Sequence, residues 1–475
     1  MAGKFKITGS AAAWIALALL VVPMFGSYFF DDMFSTVSNI FNDPSALQLG
    51  WGQDEYGKYT SGYSILCIFG GLVLCGMLLD RWGVRITGSI FVGLMVAGAG
   101  MVTWALVSGL PAAQSLNVAW AGCMVFGLGS EIAGVAVTRS IAKWFKGRNM
   151  AFAMGLQLAI ARLGTATAFL LSPVLIQQKV AAVADAAPAV YTLAETARPA
   201  FFGMMLLLVG AIFWAVFVAM DARFDRESRQ LAAGEGPVKN GENDGAPSNE
   251  QFRFRDVLKV LGNPNWWLLA LLCVFFYSSI VAFKKFTGAI LVPRFGVSAG
   301  VAGLMATILP FSTVVFAPLF GLMVDRRGHG TRWMVFGAVL ALAAHLVLAF
   351  APSGSPFWGY AAMILLGFSY SLVPAALWPS VPKVIPDRML GTAFALIYWV
   401  QNLGLWGFKR FAGRILESTH GSANSADAAS NLGNSPLLNV ELMFLAVCVA
   451  ALVLAFLFAA SSRRHPELAL DKANK

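Results

Sequence analysis

Glu131, within MVFGLGSEIAGVAV, and Arg162, within AFAMGLQLAIARLGTA, each sit about a dozen residues from the nearer end of a largely apolar stretch. If those stretches are membrane helices, both charges lie near mid-membrane. A charge there costs about 3 kcal/mol on the insertion scale and must face a partner or a water-filled cavity. Arginine presents a planar fork that fits a carboxylate, and glutamate presents an acceptor for an ammonium group. Together they suit a zwitterionic solute. The plainer alternative is that the two, on consecutive helices, only neutralise one another.

Asn402 and Gln401, with Trp378, Trp399, Tyr398, Tyr370 and Tyr277 nearby, can line an uncharged aromatic side of the same cavity, or pack against lipid and other helices. Asp31 and Asp32 close the first apolar run; either is a candidate proton site if it faces the cavity. His345 is expected to be a hydrogen-bonded packing residue. Lys284, Lys285, Lys409 and Arg410 belong either to the interface or to the cavity. No clustered nucleophile and base, phosphate loop or metal-ligand set appears, which argues against an enzyme and against a cofactor or bound metal. Cys67, Cys75, Cys123, Cys273 and Cys448 all lie in apolar segments without paired spacing, suggesting neither a disulfide framework nor a metal site.

The elements that must carry these residues follow from composition. Of the 475 residues, 58% are hydrophobic and 12% charged, with mean hydropathy +0.70; a soluble domain carries about a quarter charged residues. Apolar runs near the roughly 20 residues needed to cross a bilayer recur throughout. Runs such as Ala11 to Met24 and Leu442 to Ala460 do not alternate, so helices, not barrel strands, satisfy the backbone in lipid. The first run, after Lys4 and Lys6, is too long for a secretory signal and has no small-residue cleavage site before Asp31.

The expected fold is an all-α membrane protein with twelve spans, at about 12–33, 58–79, 86–107, 117–140, 149–176, 199–220, 264–286, 297–323, 331–351, 357–380, 388–416 and 437–461. Under that layout most Lys and Arg residues fall on one side, including Lys143, Lys146, Arg148, Arg223, Arg226, Arg229, Arg327, Arg332, Arg463 and Arg464. The positive-inside rule makes that side cytoplasmic, with both termini there. The net charge of +10 thus reports topology and requires no nucleic-acid partner. The expected partners are membrane lipid and a small-molecule substrate; nothing in the sequence names an accessory subunit. The polar stretch 221–262, which contains GEGPVKNGENDGAPSNE, reads as a cytoplasmic linker between bundles at 1–220 and 263–475. Its end, with Phe252, Phe254, Val257, Leu258 and Leu261 between Arg253, Arg255 and Lys259, suits a short helix on the membrane surface or in solvent.

The halves repeat. GMLLDRWG at Gly76–Gly83 recurs as GLMVDRRG at Gly321–Gly328, 245 positions on. Leu163-Gly164, sixteen positions after Arg148, has its match in Leu403-Gly404, sixteen after Arg388. Asn402 thereby takes the place of Arg162. Two related bundles place a solute site between them. In the repeated loop, Asp80 with Arg81 and Arg85, and Asp325 with Arg326, are expected to latch the cytoplasmic face, with the glycines allowing close approach and a tight turn.

GMLLDRWGVR resembles the loop between the second and third helices of the major facilitator superfamily. Gly127–Thr165 and Leu365–Leu405 resemble a narrower branch of it: the lysosomal dipeptide transporter group, major facilitator superfamily domain-containing protein one, with its bacterial relatives. The likeness runs from about Tyr59 to the last helix. It implies passive, uniport transport of dipeptides, with Glu131 and Arg162 holding the amino and carboxyl ends. Lys284, Lys285, Lys409 and Arg410 depart from the group's more apolar pattern, and no acidic dileucine signal stands near the N-terminus. A bacterial inner membrane is therefore the expected location, with the lysosomal membrane the alternative. The competing functions are an organic-anion carrier of the oxalate, formate or monocarboxylate kind, and a non-transporting membrane receptor.

Overall fold

The chain is described here by a computed structural model, covering residues 10–145, 149–177, 190–234, 254–386, 389–417, 436–468 and 470–472. Lys4, Lys6, Lys146, Arg148, Phe252, Arg253, Arg388 and residues 235–250 of the polar stretch lie outside the described residues, as do the side chains of Cys75, Asp80, Arg229, Phe254 and Arg255.

The helices are α1 (Ser10–Asp32), α2 (Gln53–Leu66), α3 (Leu72–Val107), α4 (Ala112–Trp144), α5 (Met150–Ile176), α6 (Leu193–Gly234), α7 (Phe254–Leu261), α8 (Pro264–Tyr277), α9 (Phe283–Lys285), α10 (Thr287–Phe295), α11 (Ala299–Arg327), α12 (Gly330–Phe350), α13 (Pro356–Leu377), α14 (Val381–Val384), α15 (Leu390–Glu417) and α16 (Pro436–Arg464). Among the described residues, ten segments are long and apolar enough to cross a membrane. Two more polar segments complete the set of twelve expected from sequence. One is α2, continued through a turn of π-helix at Cys67–Gly71 into the start of α3; the other is α15.

Lipid supplies no hydrophobic drive between helices, so they associate through close backbone packing at small residues. In the first half a Cβ on Gly98 would fall 2.4 Å from the Phe126 backbone nitrogen, which fixes the α3–α4 approach. A Cβ on Gly210 of α6 would fall 2.7 Å from Pro23 Cα of α1. In the second half Gly337 of α12 sits against Val373 of α13 in the same way. A polar link adds to this second-half packing: buried His345 Nδ1 lies 2.8 Å from Glu441 Oε2, between the rings of Phe283 and Phe444. His345 is thus a hydrogen-bonded packing residue.

The repeated loop is visible in the backbone. Its last glycine has φ 75° at Gly83 and φ 66° at Gly328, a region that side-chain-bearing residues rarely enter.

The halves meet at the ends that the charge distribution leads one to expect on the outside, termed the outer ends. Gly57 of α2 and Gly413 of α15 touch backbone to backbone, Gly303 of α11 abuts the Phe169 carbonyl of α5, and Gly288 of α10 abuts the backbone at Thr36.

Two segments differ from or refine the sequence expectation. α6 stays helical to Gly234, well past Met220. Its extension is anchored where Asp221 accepts hydrogen bonds from Arg85 (2.8 Å), Lys143 (2.8 Å) and Trp144 (2.8 Å). The short helix expected before the second half forms as α7, with Val260 buried and Leu258 and Lys259 exposed.

Candidate substrate-binding site

Among the described ion pairs none joins Glu131 to Arg162, so mutual neutralisation does not account for them. Both flank one level of α1: Ser27 shares a 2.6 Å hydrogen bond with Ser130, next to Glu131, while the Tyr28 ring lies 5.6 Å beneath the Arg162 guanidinium. Glu131 Oε1 accepts a hydrogen bond from the Tyr63 hydroxyl at 3.0 Å. Arg162 is also 5.3 Å from the ring of Tyr370, which comes from the second half, and its buried Nε has no acceptor. Among the described residues, a carboxylate without a paired cation and a guanidinium without a paired carboxylate thus flank the same level of α1.

The second half supplies the aromatic wall. Tyr370 meets Tyr277 with ring centroids 6.0 Å apart. Trp378 donates its indole N–H to the Tyr277 hydroxyl at 2.9 Å, and Tyr398 stacks on Trp378 at 5.2 Å. Arg162, Tyr277, Tyr370 and Trp378 are therefore brought together. Asn402 and Gln401 are placed differently. Asn402 is buried and donates to the Tyr398 carbonyl of its own helix at 3.0 Å; Gln401 Oε1 lies 3.4 Å from Cys273 Sγ. Trp399 donates to the Ile68 carbonyl at 2.6 Å, an acceptor exposed by the π-turn in the second span. Tyr28, Tyr63 and Ser130 join the candidate site by contact with Glu131 and Arg162 or their neighbours, and sequence reasoning did not single them out; their only signal was polarity within apolar helices.

Above this level the outer contact is ionic. Asp32, 1% exposed, accepts from Lys284 at 2.7 Å, Lys285 at 2.8 Å and Thr165 at 2.8 Å. Lys285 also pairs with Asp31 at 2.7 Å. Nearer the outer rim Arg410 pairs with Asp54 at 2.6 Å, and Glu417 accepts from the Gln53 backbone N–H at 2.6 Å, capping α2 from the opposite half. In this conformation Asp31 and Asp32 are held in a clamp between halves. Lys284 and Lys285 form its other side.

At the opposite end of the helices, the end expected to be cytoplasmic, Arg85, expected beside Asp80, pairs with Asp221 at 2.8 Å and with Asp225 on α6. Lys143 pairs with the same two carboxylates. Arg81, Asp325 and Arg326 are exposed. The α6 carboxylates were missed because the sequence placed them in the linker.

A family model described as Major Facilitator Superfamily matches residues 24–406. The lysosomal dipeptide transporter MFSD1 of Bos taurus is 30% identical over 422 residues, covering 85% of this chain and 79% of its own length. That of Homo sapiens is 29% identical over 422 residues, covering 85% and 80%. Among solved structures, a D-xylose-proton symporter matches with TM-score 0.65 and 14% identity, over 95% of this chain and 97% of its own. A variant of the peptide transporter POT matches with TM-score 0.64 and 14% identity, over 97% and 96%. At that identity the two structures share the fold alone.

Proposed function

Because the chain belongs to the major facilitator superfamily and is a multi-pass membrane transporter, we propose that its solute is a dipeptide, held with its amino end at Glu131 and its carboxyl end at Arg162. The observation that carries this reading is the pair of complementary charges at one depth, each without an ionic partner among the described residues. A dipeptide supplies both missing charges. Its side chains would lie along the wall of Tyr277, Tyr370, Trp378 and Tyr398, where apolar and hydrogen-bonding surface alternate. The likeness to the MFSD1 dipeptide transporters supports the same class.

The bundles at 1–220 and 263–475 rock about this site, joined by the segment 221–262. Outward opening requires separation of the Gly57–Gly413 contact and release of Asp32 from Lys284 and Lys285. Transport is downhill without an obligatory ion, because both aspartates near the first helix end are engaged in the clamp, above the site. The location is a bacterial inner membrane, with both termini cytoplasmic.

A small dianion has no use for an unpaired mid-membrane carboxylate, so the organic-anion reading is the weaker one. Uptake of labelled alanyl-alanine into proteoliposomes, with and without a pH gradient, tests the proposal. Competition by other dipeptides and none by free dicarboxylates supports it; the reverse pattern overturns it.

A further inference from the structure

Lys409 is a buried cation where the two halves meet, and the described residues offer it no carboxylate. It is 2% exposed, on α15 one turn inward of the Gly413 crossing with α2. Its ammonium has one hydrogen bond, to the Thr60 carbonyl at a long 3.4 Å, and lies 5.5 Å from the centre of the Tyr63 ring. An ammonium group has three donors, and one taken out of water with a single weak acceptor is poorly satisfied by the protein. The neighbouring acids are already engaged: Asp31 and Asp32 are paired with Lys284 and Lys285, and Asp54 with Arg410. On the far side of Tyr63, whose hydroxyl donates to it, stands Glu131.

From this arrangement we infer that Lys409 forms a side-chain subsite beside the amine anchor, taking a carboxylate on the first residue of the substrate. The inference rests on the dipeptide reading above. A dipeptide with its amine at Glu131 carries the side chain of its first residue past Tyr63, whose hydroxyl donates to Glu131 and whose ring face lies toward Lys409. An aspartyl or glutamyl side chain completes the hydrogen bonding of Lys409. A lysyl or arginyl side chain brings a like charge toward a desolvated ammonium and is rejected.

The test is competition of alanyl-alanine uptake in proteoliposomes by aspartyl-alanine, alanyl-aspartate and lysyl-alanine. The native protein should bind aspartyl-alanine better than both alanyl-aspartate and lysyl-alanine. In Lys409→Met the ratio of apparent affinities for aspartyl-alanine over lysyl-alanine should fall at least about tenfold. Lys409→Arg, which keeps the charge, should hold the native order. A uniform change for all competitors in Lys409→Met, leaving that ratio intact, would mark a purely structural lysine. Should Lys409→Met not fold, the native comparison still decides: no preference for aspartyl-alanine over lysyl-alanine overturns the subsite alone. A native protein that transports no dipeptide overturns the dipeptide reading and the subsite with it.

Discussion

Glu131 and Arg162 are costly to keep as charges, and that cost makes their roles testable. Truncating one partner leaves both a substrate charge and the surviving residue poorly matched in a low-dielectric cavity, a loss of about 2–5 kcal/mol. Arg162→Ala is therefore expected to weaken dipeptide binding at least about thirtyfold and to abolish transport, as read by uptake into proteoliposomes. The double variant Glu131→Gln with Arg162→Gln should remain inactive, because both anchors are gone. Recovery of uptake in the double variant would mean that the residues serve only each other. Blocking the substrate amine should weaken binding to the native protein far more than to Glu131→Gln, and equal losses would remove Glu131 from the amine.

At the scale of helices, the outer junction joins glycine contacts to a buried ionic clamp. A Cβ on Gly413 would fall 2.5 Å from the Gln53 carbonyl oxygen, a backbone atom that cannot step aside alone. Overpacking of this kind costs about 1–3 kcal/mol. Gly413→Ala should accordingly loosen outward closure, and a cysteine placed at Thr36 should label from outside up to about tenfold faster than in the parent; an unchanged rate would show that α2 and α15 do not set the closure. The clamp makes a second expectation. Asp32→Asn leaves Lys284 and Lys285 short of a carboxylate and should destabilise this conformation by about 3–5 kcal/mol, seen as a lower melting temperature. Combining it with Lys285→Met should restore part of that loss, and no restoration would argue against the ionic account. Downhill transport also follows from the clamp: uptake should neither exceed equilibrium nor collapse with a protonophore.

For the whole molecule, the repeated loop predicts that Asp80 and Asp325 occupy equivalent cytoplasmic places in two bundles related about the membrane normal. Cysteines introduced beside each should resist impermeant reagents applied to intact cells and react after permeabilisation. Efficient outside labelling at either position would invert the topology. The closure at Gly57–Gly413, Gly303 and Gly288 is the one expected if the bundles rock about the proposed site at the depth of Ser27 and Tyr28.

The all-helical membrane fold was legible in the residue order because lipid imposes local rules: every span must be long, largely apolar and self-bonded. Glu131 and Arg162 stood out for the same reason, since charge within such a run is penalised position by position. Their lack of a mutual ion pair was not legible. Pairing depends on how consecutive helices rotate about their axes, which periodicity leaves free. The same holds for Asn402, whose side chain bonds its own backbone despite its equivalence to Arg162. Only the folded chain brings Asp32 to Lys284 and Lys285 across more than 250 positions, and leaves Lys409 beside Tyr63 with no carboxylate among the described residues, because such contacts arise where two separate bundles meet in space.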